Sequence, residues 1–468
     1  MSAMSGRIES LRRDRKTAVS VRIGTRTGRG FRAAIAVSCL LAGTIPAAVA
    51  KNAPVPVSNP LATQDQTEAH RQALRLLQRP EVREARANVE MRWRRILHNE
   101  PPVEAWLAFD DMLADYTYNY ALKAVANPNY PRVIHIYTQP HKWRGMAVPG
   151  SRWGGNNPDN IYRIIPVDGA ARFRIDGRRT GTGPSNVSYQ LVADYQTTGT
   201  LGLLTDRDLT YNPDGTFSIE LGPEPANGRK NYIQTRPGAL FVFIRDTLND
   251  WDQKADALSV TRLDAPAAPP RSDEQAAGIA AQAMISGMAQ VYYYTKVAHG
   301  IPNYFPPFPK SSGPTGGLYS QRATYGDAML GDDDALIVTL QPGGARYYSL
   351  VAHDWWFITR DVTKYQSSLT NAQSVPNADG TVTFVLSIKD PGVWNWVDTG
   401  GLHNPIMMIR LQGLASDPAV EPWVRTRLVK LSDLEAELPP DTRRATPAER
   451  AAQIAKRKRQ YDARLADK

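Results

Sequence analysis

The chain has 468 residues, 42% hydrophobic and 22% charged, a balance that supports a buried core and excludes global disorder. Its 34 Gly and 35 Pro point to many turns and few long helices. The formal net charge of +10 sits at the ends: residues 1–50 hold nine basic and two acidic side chains, residues 441–468 nine and four, and the stretch between is slightly acidic. A nucleic-acid groove would make the folded body basic, because phosphate neutralisation supplies most of the affinity, so no nucleic-acid partner is expected.

In chain order, a basic stretch (Arg22, Arg26, Arg29, Arg32) precedes the short apolar run 33–45, and Ala48-Val49-Ala50 follows Pro46. That order predicts a signal peptide over 1–50, cleaved after Ala50, and hence a periplasmic or secreted protein with no integral membrane segment after cleavage. Cys39, the single cysteine, lies inside this run, so disulfides and thiol chemistry are not expected in the mature chain. Residues 51–102 read as an N-terminal helical segment, with a polar, Arg-rich amphipathic helix over 64–98.

The next signal is a repeat at long period. At an offset of 174, Tyr118 and Tyr120 match Tyr292 and Tyr294, Pro128-Asn129-Tyr130 matches Pro302-Asn303-Tyr304, Asp159 matches Asp333, Gly169 matches Gly343, and Ala171-Arg172-Phe173 matches Ala345-Arg346-Tyr347. Near 165, Asn212-x-Asp214-Gly215-Thr216 matches Asn377-x-Asp379-Gly380-Thr381, and Ile244-Arg245 matches Ile409-Arg410. Each copy reads as a helix (103–126; 273–298, with Ser272 as N-cap) followed by short alternating runs between Asp-Gly and Gly-Gly turns. The expected fold is mainly β with flanking helices (α+β). It comprises two tandem, duplicated β-sandwich-like units, 103–263 and 273–414, joined by the Pro-rich linker 264–272. The segment 415–468 reads as a helical tail, first around 423–438 and then from Pro447, where Thr446 and Glu449 look like a helix start, the last helix so poor in apolar residues that it reads as a solvated arm.

In the second unit, ARYYSLVAHDWWF, YQSSL, NADGTVTFVLS, DPGVWNWVDTGG and the terminal TPAERAAQ resemble a bacterial family known as domain of unknown function 1214. NNPDNIY and RFRIDGR in the first unit are similar to the related domain that precedes it in many members. The resemblance implies two sandwich-like domains in an often exported protein, and carries no catalytic residues.

The second copy alone gains His353-Asp354-Trp355-Trp356, Trp394, Trp396, Asp398 and His403. On a strand, Trp394, Trp396 and Asp398 would share one face, a flat apolar surface with a hydrogen-bonding edge that suits a sugar ring. The competing reading places these indoles in the core and Asp398 at a turn. Asp354, His353 and Asp398 are the candidate catalytic groups, since separated carboxylates can serve as acid and base in glycoside hydrolysis. Trp355, Trp394, Trp396, His403 and Tyr162 are the candidate ligand contacts. For the Asx-rich 156–160, turn formation competes with a polar rim to a cleft between units, with Tyr162 and Trp153 as contacts. No metal motif, phosphate loop, dinucleotide fingerprint or serine elbow is present, and no cofactor is expected. These residues lead to an exported protein that binds an uncharged or weakly anionic organic ligand, a glycan foremost, with hydrolysis left open. A non-catalytic envelope scaffold and a carrier of a lipophilic steroid- or terpenoid-like molecule are the alternatives.

Overall fold

A computed structural model describes residues 59–310, 318 and 321–467. The expected signal peptide and Cys39 lie outside the described residues, as do residues 51–58.

Helices open the described chain: α1 (Gln64–Leu76), α2 (Pro80–Leu97), α3 (Val103–Leu107) and α4 (Phe109–Val125). The single helix expected over 64–98 is two, because Pro80 lacks the N–H that would carry α1 onward and instead occupies the first turn of α2. After α4 come β1 (Ile134–Ile136) and the small hairpin of β2 (His141–Trp143) and β3 (Met146–Val148).

The first sandwich follows: β4 (Asn160–Pro166), β5 (Phe173–Arg178), β6 (Asn186–Val192), β7 (Thr200–Thr205), β8 (Thr216–Gly222), β9 (Tyr232–Gln234), β10 (Phe241–Thr247) and β11 (Ala257–Arg262). One sheet has the order β1-β4-β10-β6-β7 and the other β11-β5-β8-β9. Helix α5 (Asp273–Ala298) then leads into the second sandwich. Ser272 and Gln275 cap α5 reciprocally, each backbone N–H donating to the other's side chain.

The second sandwich repeats the first strand for strand: β12 (Gln321–Asp327), β13 (Asp334–Gln341), β14 (Tyr347–His353), β15 (Ser368–Thr370), β16 (Val382–Ser387), β17 (Trp396–Asp398), β18 (Ile406–Gln412) and β19 (Trp423–Lys430). Its sheets have the orders β12-β18-β14-β15 and β17-β16-β13-β19. Even the one parallel step recurs, β8 with β9 and β16 with β17. The Asp-Gly turns before β8 and β16 are alike: Gly215 and Gly380 take φ of +78° and +80°, and the preceding Asp accepts the N–H of Thr216 or Thr381.

The strand pairing corrects part of the repeat. β6 and β14 superpose at an offset of 161, since Ser188 and Ser349 stand opposite the equivalent Arg245 and Arg410. Asp159/Asp333, Gly169/Gly343 and 171–173/345–347 are therefore chance matches; Tyr347 lies on β14, whereas Phe173 opens β5. The region 423–430, expected to be helical, is the strand β19, which pairs with β13 as β11 pairs with β5. Its alternation of half-buried and exposed residues marks an outer strand.

A short α6 (Leu434–Glu437) precedes α7 (Pro447–Arg464), whose Thr446–Glu449 capping box is formed as expected. Helix α7 is not a solvated arm. Arg450, Arg457 and Arg464 are buried, and they donate to the carbonyls of Val393, Ser368 and Pro158 respectively, strapping the helix across both sandwiches. Each sandwich encloses its own apolar core, and a third core joins α1, α2, α4 and α5 to the outer face of the first sandwich. No described helix is long and apolar enough to cross a membrane.

Candidate functional site

Strand alternation builds a cleft between the sandwiches. In β10, Val242 and Ile244 enter the core, so Phe243 and Arg245 face out. In β18, Met407, Ile409 and Leu411 enter the core, so Met408 and Arg410 face out. Both outward faces line one cavity of about 260 Å³. β4 adds Asn160 and Tyr162, β12 adds Gln321 and Tyr325, and the loops add Trp153–Asn156 and Gln196–Thr198.

Arg245 and Arg410 hold the same rung of the two copies, one across from Ser188 and the other across from Ser349. Arg245 donates to Gln190 Oε1 and stacks on Phe243 at 4.1 Å. Arg410 is only 5% exposed and donates through Nη2 to the Gly155 carbonyl, while its Nη1 is buried without a hydrogen-bond partner. Among the described lining residues there is no Asp or Glu, so the cavity is cationic. Keeping a guanidinium nitrogen dry and unpaired is costly, and an arriving anion would relieve that cost.

Three non-glycine residues of the lining hold left-handed backbone: Tyr137 (φ 63°), Thr197 (φ 64°) and Phe357 (φ 61°). Each costs about 1–2 kcal/mol for an L-residue, and such strain gathers at functional sites. Gly155 secures Phe357 by donating its N–H to the Phe357 carbonyl at 2.8 Å. At φ +72°, a Cβ on Gly155 would sit 2.6 Å from the Phe357 ring, so the approach demands glycine. Tyr137 OH contacts Thr197 Oγ1 at 3.4 Å and accepts from Lys123 Nζ at 3.3 Å. Lys123 is fully buried behind this wall; its ammonium also donates to the Tyr195 carbonyl at 2.8 Å, and burial lowers its pKa to about 7.

The Asx-rich loop turns out to join the sandwiches as well as rim the cavity. His353 Nε2 donates to the Asn156 carbonyl at 2.9 Å, and Asn157 Nδ2 donates to Tyr347 OH at 2.7 Å. Tyr162 OH accepts from Asn157 N at 3.1 Å, which fixes its ring in the cleft against Phe243, 5.6 Å away and nearly parallel.

The remaining candidates are not gathered there. His353 is buried and faces Asn156 rather than Asp354; burial, with Arg410 nearby, lowers its pKa to about 3, so it is a neutral wedge. Asp354 Oδ1 accepts from the N–H groups of Trp356 and Ile358, and burial raises its pKa to about 6. It borders a different cavity, of about 340 Å³, with Arg152, Asp361 and Tyr365. The strand expected to carry Trp394, Trp396 and Asp398 on one face starts only at Trp396. Trp396 is 6% exposed, its Nε1 donates to the Ser387 carbonyl, and Arg450 covers its ring. Trp394 donates to the Gln373 carbonyl and lies under Arg443 at 3.6 Å. Asp398 Oδ1 accepts from Gly400 N at 2.8 Å, the turn-binding alternative, and burial raises its pKa to about 6. Trp355 stacks on His299 at 5.1 Å, and His403 bridges Glu104 and Asp332. Of the expected contacts, Tyr162 and Trp153, the pair named for a cleft between units, line this cleft, and the second unit's indoles do not. Arg245 and Arg410 went unchosen although the repeat had already paired them; the signal was a shared arginine on two outward strand faces. Among the described residues no group of three or more His, Cys, Asp or Glu side chains could hold a metal ion.

No curated protein matches the chain. The crystal structure of an uncharacterized protein from Burkholderia cenocepacia is similar over 77% of this chain and 99% of its own, with 23% identity and a TM-score of 0.63, a likeness of fold. The VPA0106 protein from Vibrio parahaemolyticus aligns over 70% of this chain and 99% of its own, with 12% identity and a TM-score of 0.39. Residues 186–246 match the family described as a protein of unknown function (DUF1214), so the resemblance read from the second unit falls on the first, over β6 to β10, the topological equivalent of the β14–β18 stretch whose motifs suggested it.

Proposed function

We propose that this protein binds a weakly anionic organic ligand, an acidic saccharide foremost, in the cleft between its sandwiches, and that it works as an exported binding protein. The observation that carries the reading is the convergence of two equivalent arginines on one cavity whose described lining holds no carboxylate. Guanidinium forks suit carboxylates, the amides of Asn160, Gln190 and Gln321 suit hydroxyls, and the parallel Tyr162 and Phe243 rings offer a flat edge. This moves the ligand site from the second unit's indoles to the space between units, and it supports binding without hydrolysis.

Calorimetric titration with galacturonate and galactose tests it. The acid binds and the neutral sugar binds at least tenfold more weakly, as the loss of a charge-assisted hydrogen bond implies. Galacturonate affinity that survives Arg245→Gln and Arg410→Gln together would overturn the proposal.

A further inference from the structure

We infer that a groove beside the first half of α5 holds the acyl chain of an acid-headed amphiphile such as a fatty acid. The groove has a volume of about 800 Å³, exposes chiefly carbon, and shares none of its described lining residues with the cleft between the sandwiches. Helix geometry sets its floor. Gln275, Gly278, Ile279, Gln282, Ala283 and Ser286 recur at three- and four-residue steps, one face of α5 about 16 Å long. Gly278 lies inside the helix, where glycine is weaker than alanine, and a Cβ there would meet nothing within 4 Å. Packing does not demand this glycine, in contrast to Gly287 of the same helix, where a Cβ would collide with Tyr120 Oη. What the missing side chain does is keep the floor open.

The rest of the lining is preformed. Pro266, Pro269 and Pro270 stiffen the linker, which is pinned at two points: Ala267 N donates to Asn129 Oδ1 at 2.9 Å, and Arg271 Nη1 to the Ala126 carbonyl at 2.9 Å. Tyr195, from the loop between β6 and β7, has its ring edge-on to Phe241 at 5.4 Å. Such a groove needs no ordering of its own when a flexible chain enters. Charge selects the head group. Arg271 is the only charged side chain among the described lining residues, and among the described residues it has no carboxylate partner. Asp273, in the first turn of α5, does not line the groove and is ion-paired with Arg75 at 2.7 Å. Because Arg271 directly precedes the capping Ser272, it stands where the floor begins, and its remaining N–H groups suit a carboxylate. An acid head there with its tail along 275–286 uses both features, whereas a neutral lipophile leaves the guanidinium unmatched and a cationic one is repelled.

Calorimetric titration of the full protein with octanoate, decanoate and dodecanoate, each below its micelle concentration, tests the tail. Every two added methylenes tighten binding about threefold to tenfold, short of the full-burial value because the groove is open to solvent. Dodecanol and dodecyltrimethylammonium test the head, and bind at least tenfold more weakly than dodecanoate. Gly278→Leu fills the floor and weakens dodecanoate at least tenfold without lowering the thermal midpoint, whereas Gly278→Ala stays near the parent. Arg271→Gln removes the preference for acid over alcohol and leaves the chain-length series in place. Gly278→Leu keeps the parent's affinity for galacturonate, because the groove and the cleft share no described lining residue. Dodecanol binding as tightly as dodecanoate, affinity independent of chain length, or dodecanoate binding untouched by Gly278→Leu each overturns the inference. So does a dimer in sedimentation that Gly278→Leu dissociates, since a second copy would then cover the groove.

Discussion

Asn156 of the first sandwich and Thr359 of the second exchange two hydrogen bonds, Asn156 Nδ2 donating to Thr359 Oγ1 at 2.8 Å and Thr359 N donating to Asn156 Oδ1 at 3.1 Å. Both residues are buried and both stand beside the cleft, so this clasp sets the spacing of the two halves. Asn156→Ala strands the Thr359 N–H, and we expect a loss of roughly 1–3 kcal/mol. Thr359→Val keeps the backbone donor and the shape, giving up one bond, and costs less. Denaturant unfolding of the two variants checks the order; equal costs would mean that the side-chain pair, and not the bond from the backbone N–H, dominates.

The fold was legible where the pattern was local or copied. Caps at Ser272 and Thr446, the Asp-Gly turns at 214–215 and 379–380, and the Ile-Arg pair at 244 and 409 all survive in the structure, because each depends on a few adjacent residues. Strand β19 was missed because Trp423–Lys430 has charges on its open side and its identity as a strand comes from pairing with β13. The site was misplaced for a related reason. Indoles in the second copy looked like an acquisition for binding, but Arg450 of α7, which covers Trp396, lies more than fifty residues away in sequence. Left-handed backbone at Tyr137, Thr197 and Phe357 leaves no mark in composition, since none is a residue type that favours it.

A buried carboxylate makes the first sandwich sensitive to pH. Asp256 is fully buried, and both of its carboxylate oxygens lack a hydrogen-bond partner, whereas neighbouring Asp246 is paired with Arg163 at 2.6 Å. Burial, and then the charge of Asp246, push the Asp256 pKa well above the carboxylate range. The folded protein therefore holds a proton there that the unfolded chain has released, from the ordinary carboxylate pKa up to the raised one. Stability falls as pH rises through that interval, and the penalty is complete above it. Asp256→Asn removes the penalty, so the variant is more stable than the parent at pH 8.5, on the order of 1–3 kcal/mol, with the gain shrinking towards pH 4. Unfolding midpoints measured at both pH values decide it; a gain that is the same at pH 4 and 8.5 would show that Asp256 is ionised throughout.

One indole adds to the carbonyl bonds that hold helix α7. Arg457 and Arg464 lie over Trp251 at 4.2 and 4.4 Å, and Trp251 Nε1 donates to Asp159 Oδ1 at 2.8 Å. Asp159 accepts through its other oxygen from Tyr347 OH of the second sandwich at 2.8 Å, so the helix, the first sandwich and the second meet in one buried network. Cation–π pairs of this kind are worth up to about 2 kcal/mol when desolvated, and removing the ring also opens a cavity. Trp251→Leu should therefore cost about 3–5 kcal/mol in all. The loss should be uneven. The β13–β16 ladder rests on its own core and keeps its hydrogen-exchange protection, whereas the amides of 447–464 exchange faster because the guanidinium groups lose the surface that holds them. Arg464→Lys, which keeps the charge but forfeits the planar stack, should give a smaller change in the same segment. Exchange measured by mass spectrometry separates the outcomes: α7 amides as well protected in Trp251→Leu as in the parent would mean that the arginine–carbonyl bonds alone hold the strap.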